Sequence, residues 1–264
     1  MSVPLIHLSE IQTTDLIYYD RDFHAECLRF CACRDIDCLP SLTDPKKYFT
    51  KTGQDFEEND IPLEQIVDSR LSIFEPALLA RIYSKKLLFV TTDNILSGVV
   101  HFSDYNRPVV HTFLFNLLSE YERGLRRLFR FHGLINQSMV DYFQAKIETT
   151  HGDEKNHYRK KFKGYENHKA ENEKLTPFEC FYLTDLIELA RHHSIIEVDL
   201  DTCELRNYVM HAHELIHLKD STQENDQIYT PESFKVFYNR VLVLMLEYKK
   251  VTNRIALFKM SQES

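Results

Sequence analysis

Residues 203–217 read CELRNYVMHAHELIH and contain one apolar face. That face carries Leu205, Val209, Ala212 and Ile216, at positions i, i+4, i+7 and i+11 of a helix. A stripe of this kind has to pack against other helices. The segment therefore predicts one helix of a helical bundle, whose other helices must come from elsewhere in the chain.

Similar amphipathic patterns predict helices near 110–130, 137–147, 177–193, 202–218 and 231–257. Pro177 and Pro231 lie in first turns, with Thr176 and Thr230 as N-caps. A charge-rich segment, 151–174, separates the second helix from the third and predicts an exposed insert or a long frayed helix. Residues 109–264 thus form the predicted all-α domain.

Residues 1–108 have a different pattern, in which short apolar runs alternate with single helices. Predicted strands cover 16–19, 37–42, 87–90 and 96–102, and predicted helices cover 21–33 and a stretch that opens at Leu71. Thr92, Asp93 and Asn94 predict a turn between the last two strands. The order gives two strand–helix–strand–strand units in tandem, which should close into one small α/β domain because either unit alone buries too little surface. The whole chain is therefore expected to be α+β.

Composition sets limits on function. Of 264 residues 43% are hydrophobic and 12% aromatic, which supplies a packed core and excludes a disordered chain. The net charge of −8 argues against a surface coated for nonspecific nucleic-acid binding. Neither a signal peptide nor an apolar run of 18 residues is found, so we expect a cytoplasmic protein that does not enter membranes, with free thiols.

Residues 96–106 read LSGVVHFSDYN, and this strand end resembles that of a CBS domain. Two tandem units resemble a CBS pair, a family that binds adenosine-containing ligands in a cleft. The resemblance implies a nucleotide site at Gly98, His101 and Asp104, with Asp104 on the ribose hydroxyls. In the alternative interpretation Asp104 caps the following turn, and the pair is a scaffold or dimerisation surface.

Arg206, Asn207 and His211 lie off the apolar face and resemble the Arg-x4-6-His motif of the HEPN superfamily. Members of that superfamily are helical bundles that include many metal-independent endoribonucleases. The resemblance implies catalysis by these three residues, with no cofactor for the reaction and no metal. It also implies a homodimer through the helical domain, since these enzymes pair two sites.

The side chains suit that chemistry. Histidine, with a reference pKa near 6.5, exchanges protons with a 2′-hydroxyl or a leaving oxygen near neutrality. A guanidinium binds phosphate oxygens and stabilises transition-state charge. Asn207 would orient the histidine or the phosphate. Alternatively, Arg206 pairs with Glu204 or another acid, and His211 is an ordinary surface histidine. His213 and His217 have metal-ligand spacing, but no third ligand completes a site.

Arg159, Lys160, Lys161 and Lys163 alternate with Tyr158, Phe162 and Tyr165. Cations bind phosphates and rings stack on unpaired bases, so this cluster predicts contact with single-stranded RNA. A solvated charged face is the alternative.

Together these features predict a cytoplasmic endoribonuclease of the toxin or antiviral-defence type. An adenine nucleotide bound by the N-terminal domain would regulate it, and RNA would be its substrate. The alternative is a noncatalytic regulatory protein that binds a nucleotide or a protein partner.

Overall fold

The computed structural model describes residues 5–34, 36–172, 178, 181–197, 201–211, 215 and 231–262. The architecture is mixed α+β, with small sheets near the N-terminus and a helical region after them, as the sequence predicts. The chain divides into two compact units, Met1–Phe113 with Ala212–Asn239, and Leu114–His211 with Arg240–Ser264. The first unit therefore includes residues that the sequence assigns to the helical domain.

The first unit contains two three-stranded sheets. One is antiparallel in the order β1 (Cys38–Pro40), β2 (Lys47–Thr52) and β3 (Asp55–Asp60). The other has the order β4 (Ile66–Asp68), β5 (Leu87–Thr92) and β6 (Ile95–His101), with β4 parallel to β5 and β5 antiparallel to β6.

Helices complete the first unit. A single turn, α1 (Leu8–Ile11), is followed by α2 (His24–Arg34) and α3 (Pro76–Lys85). Because parallel strands cannot be joined by a tight turn, α3 forms the crossover from β4 to β5. Asp93 and Asn94 both have positive φ, the backbone of a two-residue hairpin between β5 and β6, which confirms the predicted turn.

The first tandem unit departs from the prediction. The expected strand over 16–19 is reduced to one bridge between Tyr19 and Ser41. The hairpin of β2 and β3 was not predicted, because β3 reads DFEEND and is mostly exposed, so no apolar alternation marks it. Cys27 and Cys31 of α2 are free thiols, as expected, and both are buried.

The remaining helices match or extend the predicted ranges in three cases. The predicted 177–193 helix was wrong in extent, because Phe181 lies in a bend and the regular helix covers only Leu183–His192. The predicted 202–218 helix is shortened as well. The helices of this region are α4 (Pro108–Phe131), α5 (Asn136–Thr149), α6 (Gly152–Glu171), α7 (Leu183–His192), α8 (Asp201–Met210) and α9 (Pro231–Gln262). Segment 151–174 is thus mostly a regular helix, α6. None of the described helices combines the length and apolarity needed to cross a lipid bilayer.

The predicted helix over 202–218 was wrong in extent, and some of the predicted helix starts lie outside the described residues. The predicted 202–218 helix ends at Met210, and Leu215 lies in a bend where its N–H donates to Asn106 Oδ1 at 2.8 Å. Thr176, Pro177 and Thr230 lie outside the described residues, whereas Pro231 opens α9 as predicted.

Gly98 of β6 lies where the N-terminal segment crosses the sheet. Thr13 exchanges two backbone hydrogen bonds with Val99, at 2.8 and 3.0 Å. A Cβ added to Gly98 would lie 2.8 Å from both the Thr13 carbonyl oxygen and Gln12 Oε1. The backbone oxygen cannot yield without breaking the pairing, so glycine is required here by close approach.

We therefore expect Gly98→Ala to lower the free energy of unfolding by about 1–3 kcal/mol, the cost of inserting a methyl group into a filled site. Urea unfolding followed by circular dichroism measures it. Gly164→Ala in α6 is the matched control, because no atom lies within 4 Å of its added Cβ. A helix-interior Gly-to-Ala change should raise stability by about 0.5–1 kcal/mol. Equal effects at both positions would contradict the packing argument.

Candidate functional site

Arg206 and Asn207 lie on α8, and His211 follows the last residue of that helix. Leu205 and Val209 are buried, as the apolar stripe predicts, while Ala212 and Ile216 lie outside the described residues. Arg206 is half-buried, and Asn207 and His211 are exposed. The three predicted catalytic residues therefore lie off the apolar face.

The Arg206 guanidinium is positioned by a ring and an amide. Its Cζ atom lies 4.9 Å from the centroid of the Tyr182 ring, and Nη1 donates to Asn207 Oδ1 at 3.4 Å. The Nε atom is buried and has no hydrogen-bond partner in the described part of the chain. Because Nε is buried, the terminal Nη1 and Nη2 atoms are the donors that a guanidinium over a ring can offer to an external anion.

The alternative ion pair of Arg206 with Glu204 is not formed. Glu204 pairs with Arg240, whose guanidinium lies 5.9 Å from the Tyr208 ring centroid. Among the described residues, no carboxylate forms an ion pair with Arg206. Its positive charge is thus not neutralised locally within the described region.

His211 joins this group through the backbone, since its N–H donates to the Asn207 carbonyl at 3.1 Å. The structure brings Arg206 and Asn207 into side-chain contact and places His211 four positions on from Asn207. The expectation that His211 sits in the middle of a long helix was wrong, because α8 ends one residue earlier.

A buried carboxylate anchors the backbone of Tyr182, the residue whose ring lies against Arg206. Asp185 is only 1% exposed; it accepts the Tyr182 N–H at 3.2 Å and pairs with Lys161 Nζ. Tyr182, Asp185 and Lys161 were not predicted as part of the site. The spacing of Asp185, three residues after the N-cap position, is the one sequence signal that could have indicated its capping role.

Next to Asp185, Glu188 joins three helices. Its Oε2 accepts the Tyr142 hydroxyl at 3.0 Å and the Tyr158 hydroxyl at 3.4 Å, which ties α5 and α6 to α7. Burial, together with the Glu188 charge, raises the pKa of Tyr142. Both tyrosines therefore stay protonated and donate.

The predicted basic cluster on α6 divides into two faces. Tyr158, Lys161, Phe162 and Tyr165 occupy positions i, i+3, i+4 and i+7 on the inner side. Both tyrosines are buried, at 5% and 4% exposed, so stacking of their rings on RNA bases was a wrong expectation. Arg159, Lys160 and Lys163 are exposed, and none of them forms an ion pair with a described residue. Three cations therefore remain for an external anion.

The residues predicted to bind a nucleotide interact with one another. Asp104 Oδ2 accepts the His101 N–H at 2.8 Å, and Oδ1 accepts from Arg107 Nη2 at 2.8 Å. Burial lowers the pKa of His101, and its Nδ1 accepts the Ser103 N–H at 3.3 Å. With its side chain only 14% exposed, Asp104 caps the turn after β6, as the alternative interpretation states. A ribose would have to displace these partners.

A cleft of about 710 Å³ lies elsewhere in the first unit. Its floor is aromatic, since the Tyr19 ring centroid lies 4.1 Å from that of Phe49 and 4.8 Å from that of Phe56. Arg21 stands at its edge without a described ion-pair partner, beside Asp20 and other polar residues. The lining residues are Tyr19, Asp20, Arg21, His24, Ser41, Leu42, Thr43, Phe49, Asp55, Phe56 and Glu58. They come from three separate segments, so no local motif could have indicated them.

In the described region, no group of three or more His, Cys, Asp or Glu side chains is arranged to hold a metal ion. His213 and His217 lie outside the described residues. Comparison of the chain with protein-family models, with curated proteins and with solved structures finds no match. Function is therefore inferred from these side chains and their geometry.

Proposed function

We propose that this protein is a metal-independent endoribonuclease whose reaction centre is Arg206, Asn207 and His211. The observation that carries the proposal is the Arg206 guanidinium, which is stacked on a ring, lacks a described carboxylate partner and lies on the same helix end as an exposed histidine. An immobilised cation with available donors is what a phosphodiester requires.

The reaction uses the RNA's own 2′-hydroxyl as nucleophile. His211 takes the proton from that oxygen or gives one to the departing 5′-oxygen, and the P–O5′ bond breaks as the 2′-oxygen bonds to phosphorus. Arg206 stabilises the charge that grows on the non-bridging oxygens. Asn207 accepts from Nη1 and so fixes the rotation of the guanidinium.

One histidine cannot serve as both base and acid in a single turnover without a partner group or water. A homodimer through the helical unit would bring two copies of the triad together, which is the arrangement implied by the resemblance to HEPN enzymes. An enzyme of this kind acts as a toxin or defence effector in the cytoplasm and needs regulation.

The first unit supplies that regulation in our proposal, by binding an adenine nucleotide. We place the ligand in the aromatic cleft rather than at Gly98, His101 and Asp104, whose polar atoms are already bonded. The rings offer apolar surface to the base, and Arg21 offers a positive charge to the phosphate. Asp20 Oδ1 already accepts the Asp22 N–H at 2.9 Å, which leaves Oδ2 as the acceptor for a ribose hydroxyl.

The same cleft favours the alternative, a noncatalytic protein that binds a nucleotide or a protein partner. Expression in a host cell separates the two. A wild-type gene that arrests growth, together with an Arg206→Ala, His211→Ala gene that does not, supports the enzyme. Equal growth with both genes supports the binding protein.

For catalysis, we expect Arg206→Ala and His211→Ala each to abolish cleavage of RNA while leaving the fold intact, because neither side chain belongs to the apolar stripe. Wild-type activity should persist in EDTA. Products should end in 2′,3′-cyclic phosphate, which mass spectrometry identifies. Arg191→Ala and His168→Ala, which alter exposed residues of the same types on α7 and α6, are the controls. Products with 3′-hydroxyl and 5′-phosphate ends would indicate a metal-activated water and contradict the mechanism.

For RNA capture, we expect the combined change of Arg159, Lys160 and Lys163 to alanine to raise KM with little change in kcat, because these groups hold substrate and transition state equally. The log–log salt dependence should flatten by about 2, at about 0.7 for each single-strand phosphate contact.

Lys161→Ala is the matched control for that triple variant. It should leave the salt slope unchanged and instead lower the free energy of unfolding by about 1–3 kcal/mol, since Asp185 would lose its cation. If the triple variant kept the wild-type salt slope, these cations would be a solvated charged face and not an RNA-binding surface.

For ligand binding, we expect isothermal titration calorimetry to detect AMP or ATP, with Arg21→Ala raising Kd about tenfold or more, the effect of losing a charged hydrogen bond of about 1.5–3 kcal/mol. Arg34→Ala, at the exposed end of α2, is the control. If Asp104→Ala abolished binding and Arg21→Ala did not, the ligand would lie at β6 instead. If calorimetry detected no binding heat with any adenine nucleotide, the first unit would be a scaffold and not a ligand-binding domain.

A further inference from the structure

Tyr182 is an aromatic residue at a position where the fold does not favour one. It is the N-cap of α7, where Ser, Thr, Asp or Asn is preferred, and its side chain makes no capping hydrogen bond. The residue is 63% exposed. Neither helix capping nor core packing explains a tyrosine here.

The backbone at Tyr182 is nevertheless held in place from both sides along the chain. Phe181, the preceding residue, is buried and stacks on Phe143 with ring centroids 4.2 Å apart. The Tyr182 N–H donates to the buried Asp185, which Lys161 neutralises. The point from which the exposed ring projects is thus anchored, and the contact with Arg206 sets where the ring lies.

That surface adjoins the phosphate-binding group of the proposed reaction centre. The Arg206 guanidinium covers part of the ring at 4.9 Å, while the exposed fraction shows that much of the side chain stays open to solvent. A nucleotide matches this pair of groups, because its planar base can lie on the ring while its phosphate, a few ångströms away, meets the guanidinium. Stacking on an aromatic ring contributes about 1–3 kcal/mol per base and does not depend on which base it is.

We infer that Tyr182 is a base-stacking platform that binds an unpaired base next to the phosphate held by Arg206, which makes single-stranded RNA the substrate class. Bases within a duplex already stack on both faces and cannot reach the ring. This inference rests on the proposed function and identifies its substrate.

The test measures binding to the inactive His211→Ala protein, so that no RNA is cut. A single-stranded RNA octamer containing 2-aminopurine, whose fluorescence falls on stacking, is titrated against this protein and against the same protein with Tyr182→Ala. We expect Tyr182→Ala to raise Kd about five- to a hundredfold and to remove the fluorescence change. Tyr182→Phe should restore both. Phe115→Ala, which removes another exposed ring, should leave both unchanged.

An abasic strand of the same length distinguishes two roles of Tyr182, stacking on a base and positioning Arg206. On that strand Tyr182→Ala should have no effect, whereas Arg206→Ala should still weaken binding, because the phosphates remain. Equal loss on the RNA and the abasic strand would overturn the platform and leave Tyr182 as a positioning residue.

Failure of the platform and failure of the proposed function give different results. RNA binding that is unchanged by Tyr182→Ala overturns the platform alone. RNA binding that is absent from the His211→Ala protein, or RNA cleavage that survives Arg206→Ala and His211→Ala, overturns the proposed function and the platform with it.

Discussion

Asp185 is the carboxylate on which the organisation of the helical unit depends. A carboxylate that is 1% exposed is costly to bury unless charge and hydrogen bonds compensate it, and here Lys161 and the Tyr182 N–H do so. The two partners lie on different elements. The need to compensate this buried carboxylate therefore holds α6 against the start of α7, and this in turn holds the backbone of the residue whose ring contacts Arg206.

The same requirement explains why α6 is a regular helix rather than a frayed insert. Its average composition is strongly polar, but its two tyrosines and Lys161 recur at helical spacing on one side. Burying that side leaves Arg159, Lys160 and Lys163 together on the other. Helical periodicity, more than composition, therefore determines which of the four predicted cations stay exposed.

Local signals in the sequence predicted much of the secondary structure. The Asp93–Asn94 turn and the long helix opened by Pro231 depend on residues within one or two turns. The crossover helix was predicted to open at Leu71, but it begins at Pro76. The position of Arg206, Asn207 and His211 off the apolar face was predictable because Leu205 and Val209 define the side that packs. Tyr182, Asp185 and the aromatic cleft were missed, because their roles depend on contacts between distant segments. Asp104 shows the converse: an aspartate after a strand serves equally well as a ligand group or as a cap, and only the position of Arg107 distinguishes the two.

The net charge of −8 has less bearing on RNA binding than the composition suggests. Charges on a protein surface act over about one Debye length, which is about 8 Å at physiological ionic strength, so the field at a bound phosphate depends on its neighbours. Near the proposed centre two acids are already neutralised, Glu204 by Arg240 and Asp185 by Lys161. The Arg206 charge has no such described counterpart. A chain that is acidic overall can therefore still attract a phosphodiester at this point. The ion pairs neutralise the two nearby acids, whereas the charge of the Arg206 guanidinium is not neutralised by a described residue.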